Sequence, residues 1–162
     1  FYGARPLLTE DELPGNDEAE VDRAVLERLK RNFEASEWAG RTPEYVEHPF
    51  ELALGDSVVR GRMDAVFADD DGWVVVDWKT GEKPGRDAME SAQLQLAVYR
   101  EAWRRIARDG KPVRAVFFYV RTGETFAPRA LPDLDQLETM LGGARAGTSG
   151  EEIARESEER QG

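Results

Sequence analysis

The chain contains no cysteine, which excludes disulfide scaffolding, thiol nucleophiles and cysteine-held zinc or iron–sulfur centres. Its single histidine, His48, rules out any imidazole cluster within the chain. No apolar run approaches the roughly 18 residues that a membrane span requires. The start, Phe1-Tyr2-Gly3-Ala4-Arg5-Pro6, has no basic segment leading into an apolar one, so no signal peptide is predicted. These absences predict a cytoplasmic protein with no membrane partner. The start also lacks Met, and the chain is therefore expected to be a fragment of something longer. What remains for chemistry is carboxylates, lysine and oxygen-loving metals.

At 162 residues the chain is long enough for one domain with a substantial core. Its net charge of −11 at first argues against nucleic acid, whose phosphates usually call for a basic surface. The distribution removes the objection. Residues 1–20 carry −5 and residues 151–162 carry −3, which leaves only −3 for everything between. Residues 1–16 read as an acidic lead-in, 17–141 as the folded domain, and 142–162 as a Gly-rich acidic tail with the composition of disorder.

Asn16 or Asp17 can cap a helix running to about Ser36, with Val21, Val25, Leu29 and Phe33 along one face. Tyr45–Leu54 and Ser57–Phe67 read as strands joined at Gly55-Asp56. Trp73–Lys79 is a third strand, entered through the hairpin signal Asp69-Asp70-Asp71-Gly72. Met89, Ala92, Leu96, Tyr99, Trp103 and Ile106 then step alternately by three and four, which predicts a long helix stopped at Asp109-Gly110. Val113–Val120 reads as a strand buried on both faces, followed by a short edge strand near Thr125–Ala127 and a helix over Pro132–Leu141. The order helix, three strands, helix, strand indicates an α/β fold with a mixed sheet of about four to five strands flanked by helices.

Asp77 and Lys79 are two apart on one strand, so both side chains leave the same face. A hairpin loop at Asp70-Asp71 sets Asp64 opposite Asp77, whereas a loop at Asp71-Gly72 sets it opposite Lys79. Either register gathers all three residues on one face, with opposed Cβ atoms about 4.5–5.5 Å apart. Two carboxylates that close favour a hard cation such as Mg²⁺, and a lysine beside it can orient water or neutralise phosphate charge. A cross-strand Asp–Lys salt bridge at a sheet end fits the same spacing.

Three segments carry a resemblance: Gly61-Arg62-Met63-Asp64-Ala65-Val66, Val74-Val75-Val76-Asp77-Trp78-Lys79-Thr80-Gly81, and Gln95-Leu96-Ala97-Val98-Tyr99. In this order and spacing the chain resembles the RecB-type nuclease branch of the PD-(D/E)xK superfamily, over roughly residues 43–128. The surrounding sequence is most similar to C-terminal nuclease domains of actinobacterial UvrD/AddA-like helicases, including AdnB-type subunits. The resemblance implies a restriction-endonuclease-like core and a DNA nuclease of exodeoxyribonuclease type that depends on Mg²⁺ or Mn²⁺. It implies Asp64, Asp77 and the backbone carbonyl of Trp78 as metal ligands, and Asp64, Asp77 and Lys79 as catalytic residues. Gln95 and Tyr99, one helical turn apart, would line the site or touch DNA, although Tyr99 also belongs to the apolar stripe. The implied partners are DNA, fed as single strands by a helicase motor, the rest of a UvrD/AddA-like helicase chain, and possibly a second helicase–nuclease subunit. The implied setting is an ATP-dependent helicase–nuclease in DNA end processing and double-strand-break repair. The alternative is a nuclease-like module that no longer cuts and instead guides DNA or scaffolds the helicase.

The sequence departs from the family pattern at one place. The upstream G-x-x-[FV]-H ligand context is missing, so the ligand set within this chain is expected to be incomplete. His48 precedes Pro49 in an extended segment and reads as a strand or surface residue rather than a ligand; Glu47 reads as a solvated edge residue in preference to a carboxylate near the centre. Arg100, Arg104, Arg105, Arg108, Lys111 and Arg114 form either a phosphate track or a solvated helix end, with Glu101 able to pair Arg105. Trp78 is expected in the core, and Trp38 lies in a loop-like segment open to base stacking.

Overall fold

The computed structural model describes residues 19–141; the acidic lead-in and the tail lie outside the described residues. Helix α1 (Ala19–Glu34) is followed by three strands, β1 (Tyr45–Leu54), β2 (Ser57–Ala68) and β3 (Trp73–Lys79). Helix α2 (Arg86–Ala107), strands β4 (Val113–Tyr119) and β5 (Glu124–Phe126), and a last helix α3 (134–141) complete the order. The five strands form one mixed sheet in the order β1-β2-β3-β4-β5. Only β3 and β4 are parallel, and α2 is the crossover that a parallel pair requires.

Each helix supplies an apolar stripe to one face of the sheet. On one side Leu29 and Phe33 of α1, with Trp38 just beyond it, bury against Ala65, Phe67, Val74, Val76, Val116 and Phe118. On the other side Leu96, Tyr99 and Trp103 of α2 bury against Val66, Val75, Phe117 and Tyr119. Because β3 and β4 are covered on both faces, they read as continuous apolar runs. Ile106, the last member of the sequence stripe, is exposed.

The joints are made by local hydrogen bonding. Ser36 Oγ donates to the Phe33 carbonyl at 2.6 Å, which folds the chain back so that Trp38 reaches the core. At α3, Asp133 Oδ1 accepts from the Gln136 N–H and Gln136 Oε1 accepts from the Asp133 N–H, a reciprocal capping box that seats Leu137 in the core. α2 stops one residue before the predicted Asp109-Gly110, with Arg108 in the left-handed conformation and its N–H on the Arg104 carbonyl.

Gly72 closes the β2–β3 hairpin against the entry to β4. A Cβ there would lie 2.0 Å from the Pro112 carbonyl oxygen, and that oxygen already accepts the Trp73 N–H. Neither group is a flexible side-chain end, so the backbone itself must move. Gly72→Ala is expected to lower unfolding stability by about 3 kcal/mol, measurable by urea titration; a change near zero would mean that the hairpin is free to swing off β4.

Candidate active site

Val74, Val75 and Val76 are fully buried in β3, and Asp77, the next residue, is still only 6% exposed. A carboxylate in that position is there because the side chain emerges at the end of the α2 face rather than into solvent. The β2–β3 register pairs Ala65 with Val76 and Ala68 with Trp73, which selects the loop at Asp70-Asp71 and sets Asp64 opposite Asp77. The pairing ends there. Beyond it β2 continues with β1 as a two-stranded arm, and the Trp78 N–H is donated to Asp64 Oδ2 at 2.9 Å.

Lys79 closes the group. Its Nζ lies 2.9 Å from Asp77 Oδ2, donates to Gln95 Oε1 at 3.1 Å and sits 5.0 Å from the centre of the Phe117 ring. Gln95 Nε2 in turn donates to the Tyr99 hydroxyl at 2.6 Å, so the amide is held with its oxygen toward the ammonium. The Lys79 carbonyl accepts the Val120 N–H, which ties this strand end to β4. Asp64, Asp77, Lys79, Gln95 and Tyr99, all named from the sequence, therefore converge.

Burial pushes the Asp64 carboxyl up to about 7, helped by the hydrogen bond and charge of neighbouring Asp77 and opposed by the Trp78 N–H and by Lys79. Burial, then the charges of Asp77 and Asp64, also raise the Tyr99 phenol, so Tyr99 stays neutral and can accept from Gln95. The Asp64 shift carries a sign. The unfolded chain holds that proton with an ordinary value of 3.8 and the folded chain up to about 7, so the contribution is complete below the lower value. It is lost as pH rises through the upper one. In chelator the thermal midpoint is expected to fall between about pH 5 and about pH 8, more steeply than in Asp64→Asn; parallel curves would remove the shift.

Oxygen donors of this kind suit a hard divalent cation. Asp77 Oδ2 is buried without a hydrogen bond, Lys79 being close enough to pair with it but out of hydrogen-bonding geometry. A buried carboxylate oxygen in that condition, beside a second carboxyl, fits a cation. Among the described residues, however, no three His, Cys, Asp or Glu side chains gather into a metal-holding group, so two carboxylates are what this part of the chain offers.

Other expectations resolve differently. His48 stands with Tyr45 and Trp103, ring centres 5.5 Å from each, and its Nδ1 faces the Pro49 carbonyl, apart from the carboxylate pair. Trp38 is fully buried and donates to Thr125 Oγ1, which removes it from base stacking. Trp78 packs against Phe33, Phe67 and Phe118, as expected of a core residue. Half of the basic cluster is absorbed: Arg114 pairs with Asp69, and Arg100 and Arg104 both pair with Glu101, which is itself buried and does not reach Arg105, whereas Arg105, Arg108 and Lys111 are exposed. Arg100 also donates to the carbonyls of Leu131 and Pro132, so this acid–base group locks α2 to the segment before α3. Sequence reasoning missed the Lys79–Gln95 bond and the Phe117 ring beneath the ammonium. The four-residue spacing of Gln95 and Tyr99 signalled a shared helix face, but nothing local signalled what the face meets.

Residues 5–160 match the sequence model of the PD-(D/E)XK nuclease superfamily. The chain is also 31% identical over 144 residues to an ATP-dependent helicase/nuclease subunit from Geobacillus thermodenitrificans (strain NG80-2). That alignment covers 74% of this chain and 11% of the relative, so the chain spans only a small part of the protein it matches.

Proposed function

The chain belongs to the PD-(D/E)XK nuclease superfamily, and from that premise we propose that it is a metal-dependent DNA nuclease domain whose centre is Asp64, Asp77 and Lys79. The observation that carries the reading is the convergence of two carboxyls and an ammonium where β2 and β3 part, with one carboxylate oxygen buried and lacking a hydrogen bond. Asp64 and Asp77, with the backbone carbonyl of Trp78, would hold Mg²⁺ or Mn²⁺. Such a cation supplies Lewis acidity toward a phosphodiester and eases deprotonation of water at neutral pH.

The chain's own groups do the rest. Lys79, a third exposed, presents its ammonium toward solvent on the carboxylate side, where it orients water or neutralises charge developing on the phosphate. Gln95 holds that ammonium, and Gln95 with Tyr99 lines the path of the DNA. The relative's own designation as an ATP-dependent helicase/nuclease subunit supports placing this domain in a longer ATP-dependent helicase chain. Its activity in that setting would be of exodeoxyribonuclease type, on strands the motor delivers during end processing and double-strand-break repair. A motor that delivers DNA would relieve the domain of capturing it by charge. Any further metal ligand would come from outside the described residues.

The test is cleavage of end-labelled single-stranded DNA by the domain within its longer helicase-linked chain, in Mn²⁺, in Mg²⁺ and in chelator. Cleavage that requires the metal is expected. The two-carboxylate ligand set favours one rival, a module that guides DNA without cutting it. Metal-independent DNA binding with no cleavage would establish that rival.

A further inference from the structure

A regular strand sends alternate residues to opposite faces, yet both strands of the β1–β2 arm break that rule at the same level. On β1, Tyr45 lies 5.1 Å from Trp103 of α2, and Phe50, Leu52 and Leu54 occupy the same core, although Tyr45 and Phe50 are an odd number of residues apart. On β2, Met63 and Val66, also an odd number apart, both belong to that core, while Ala65 faces the α1 side. The alternation slips by one residue between them. The pairs Val46–Ala65 and His48–Met63 bracket the slip, and carrying the register between them sets Glu47 opposite Asp64.

Glu47 is exposed and has φ 48. Among the described residues the only other non-glycine residue with positive φ is Arg108, which caps α2. Left-handed backbone crowds Cβ against the following carbonyl, and a non-glycine residue holds it only where the surroundings demand it. Here the demand is legible. The arm must turn Phe50, Leu52, Leu54 and Met63 onto α2, and Asp64 must face Asp77 on the same side. Without a slip, a strand with Met63 on the α2 face would carry Asp64 to the other one.

We infer that Glu47 is a positioning residue for the carboxylate pair and acts through its main chain: its left-handed conformation lets two consecutive residues, Met63 and Asp64, face α2 together. The inference rests on Asp64 being a functional carboxylate, but its reporter does not depend on metal. The Trp78 N–H is donated to Asp64 Oδ2, so protection of that amide from hydrogen exchange reads the position of Asp64 directly.

The test compares wild type, Glu47→Gly, Glu47→Asn, Glu47→Val and Asp64→Ala, all in chelator and well below each melting temperature. Gly and Asn accept left-handed backbone, whereas a β-branched residue does not. Glu47→Gly and Glu47→Asn are expected to keep Trp78 protection within about two-fold of wild type, while Glu47→Val and Asp64→Ala accelerate exchange by about ten-fold or more. Loss of protection in Gly and Asn equal to that in Val would assign the role to the carboxylate and overturn the inference. Full protection in Val, or in Asp64→Ala, would overturn it as well. Were Glu47→Val to unfold, the Gly and Asn arms alone decide, since both delete the carboxylate and keep the backbone. Mn²⁺ binding measured on the same set separates the two ideas: Trp78 protection that follows the backbone, with Mn²⁺ affinity indifferent to Asp64→Ala, would leave the inference standing and remove the metal reading.

Discussion

Replacing Asp77 by Asn is expected to abolish metal-dependent cleavage of DNA, and Lys79→Ala to lower it by on the order of 10²–10³-fold. The two changes differ because the side chains differ in what they supply. Asp77 contributes an anion from a nearly buried position, and Asn matches its volume without its charge. Lys79 contributes a cation that is held at one end by Asp77 and at the other by Gln95. Stability in chelator should move the opposite way from activity. Burial is the main cause of the raised Asp64 carboxyl and Asp77 adds to it; neutralising Asp77 removes its charge from that sum, so the metal-free domain at about pH 8 is expected to melt no lower than wild type, which would separate the loss of activity from unfolding. Cleavage that survives Asp77→Asn would move the active site elsewhere; a large loss of stability in that variant would make Asp77 a structural partner of Lys79 instead.

Trp38→Ala is expected to cost about 3–5 kcal/mol of unfolding free energy, a large part of what a domain of this size possesses. The ring is fully buried, 5.1 Å from Phe67 and 6.4 Å from Trp78, with Arg41 over its face at 5.2 Å. Its Nε1–H donates to Thr125 Oγ1, so the residue joins the turn after α1 to the edge strand β5. Truncation removes that bond and opens a cavity between α1 and the sheet. Trp38→Phe, which keeps most of the volume, should cost roughly half as much and should leave metal-dependent cleavage in place, because Trp38 sits on the face of the sheet opposite Asp77. A loss in Trp38→Ala below about 1 kcal/mol, read by denaturant unfolding, would overturn its place in the core and reopen base stacking.

The elements are legible where the pattern is local. Tyr45–Leu54 and Trp73–Lys79 stand where the turn signals bound them, and α2 follows its three-and-four stripe. The gathering of Asp64, Asp77 and Lys79 is legible too, because the side-chain period of two makes either hairpin register place them together. Between the two registers the sequence offers no decision; the Asp69–Gly72 closure against Pro112 makes it. The burial of Trp38 is not legible because a tryptophan in an irregular segment has no period to reveal which side it faces. The basic run at the end of α2 stays ambiguous in sequence because its acid partners are either distant along the chain, as Asp69 is from Arg114, or turned inward, as Glu101 is.

The amino-acid sequence by itself determined an α/β order of elements, a strand ending in Asp77-Trp78-Lys79, and a chemistry of carboxylates and lysine in a chain without thiols. Those properties rest on composition and on periods that repeat within a few residues. The tertiary structure alone decided that Asp64 lies opposite Asp77, that Gln95 grips Lys79, and that the β1–β2 arm slips its alternation at Glu47. Each of these joins residues distant in sequence across separate elements: the hairpin closure against Pro112 sets the first, the packing of α2 over β3 the second, and the burial of Phe50, Leu52, Leu54 and Met63 against α2 the third, none of which a short stretch of sequence contains.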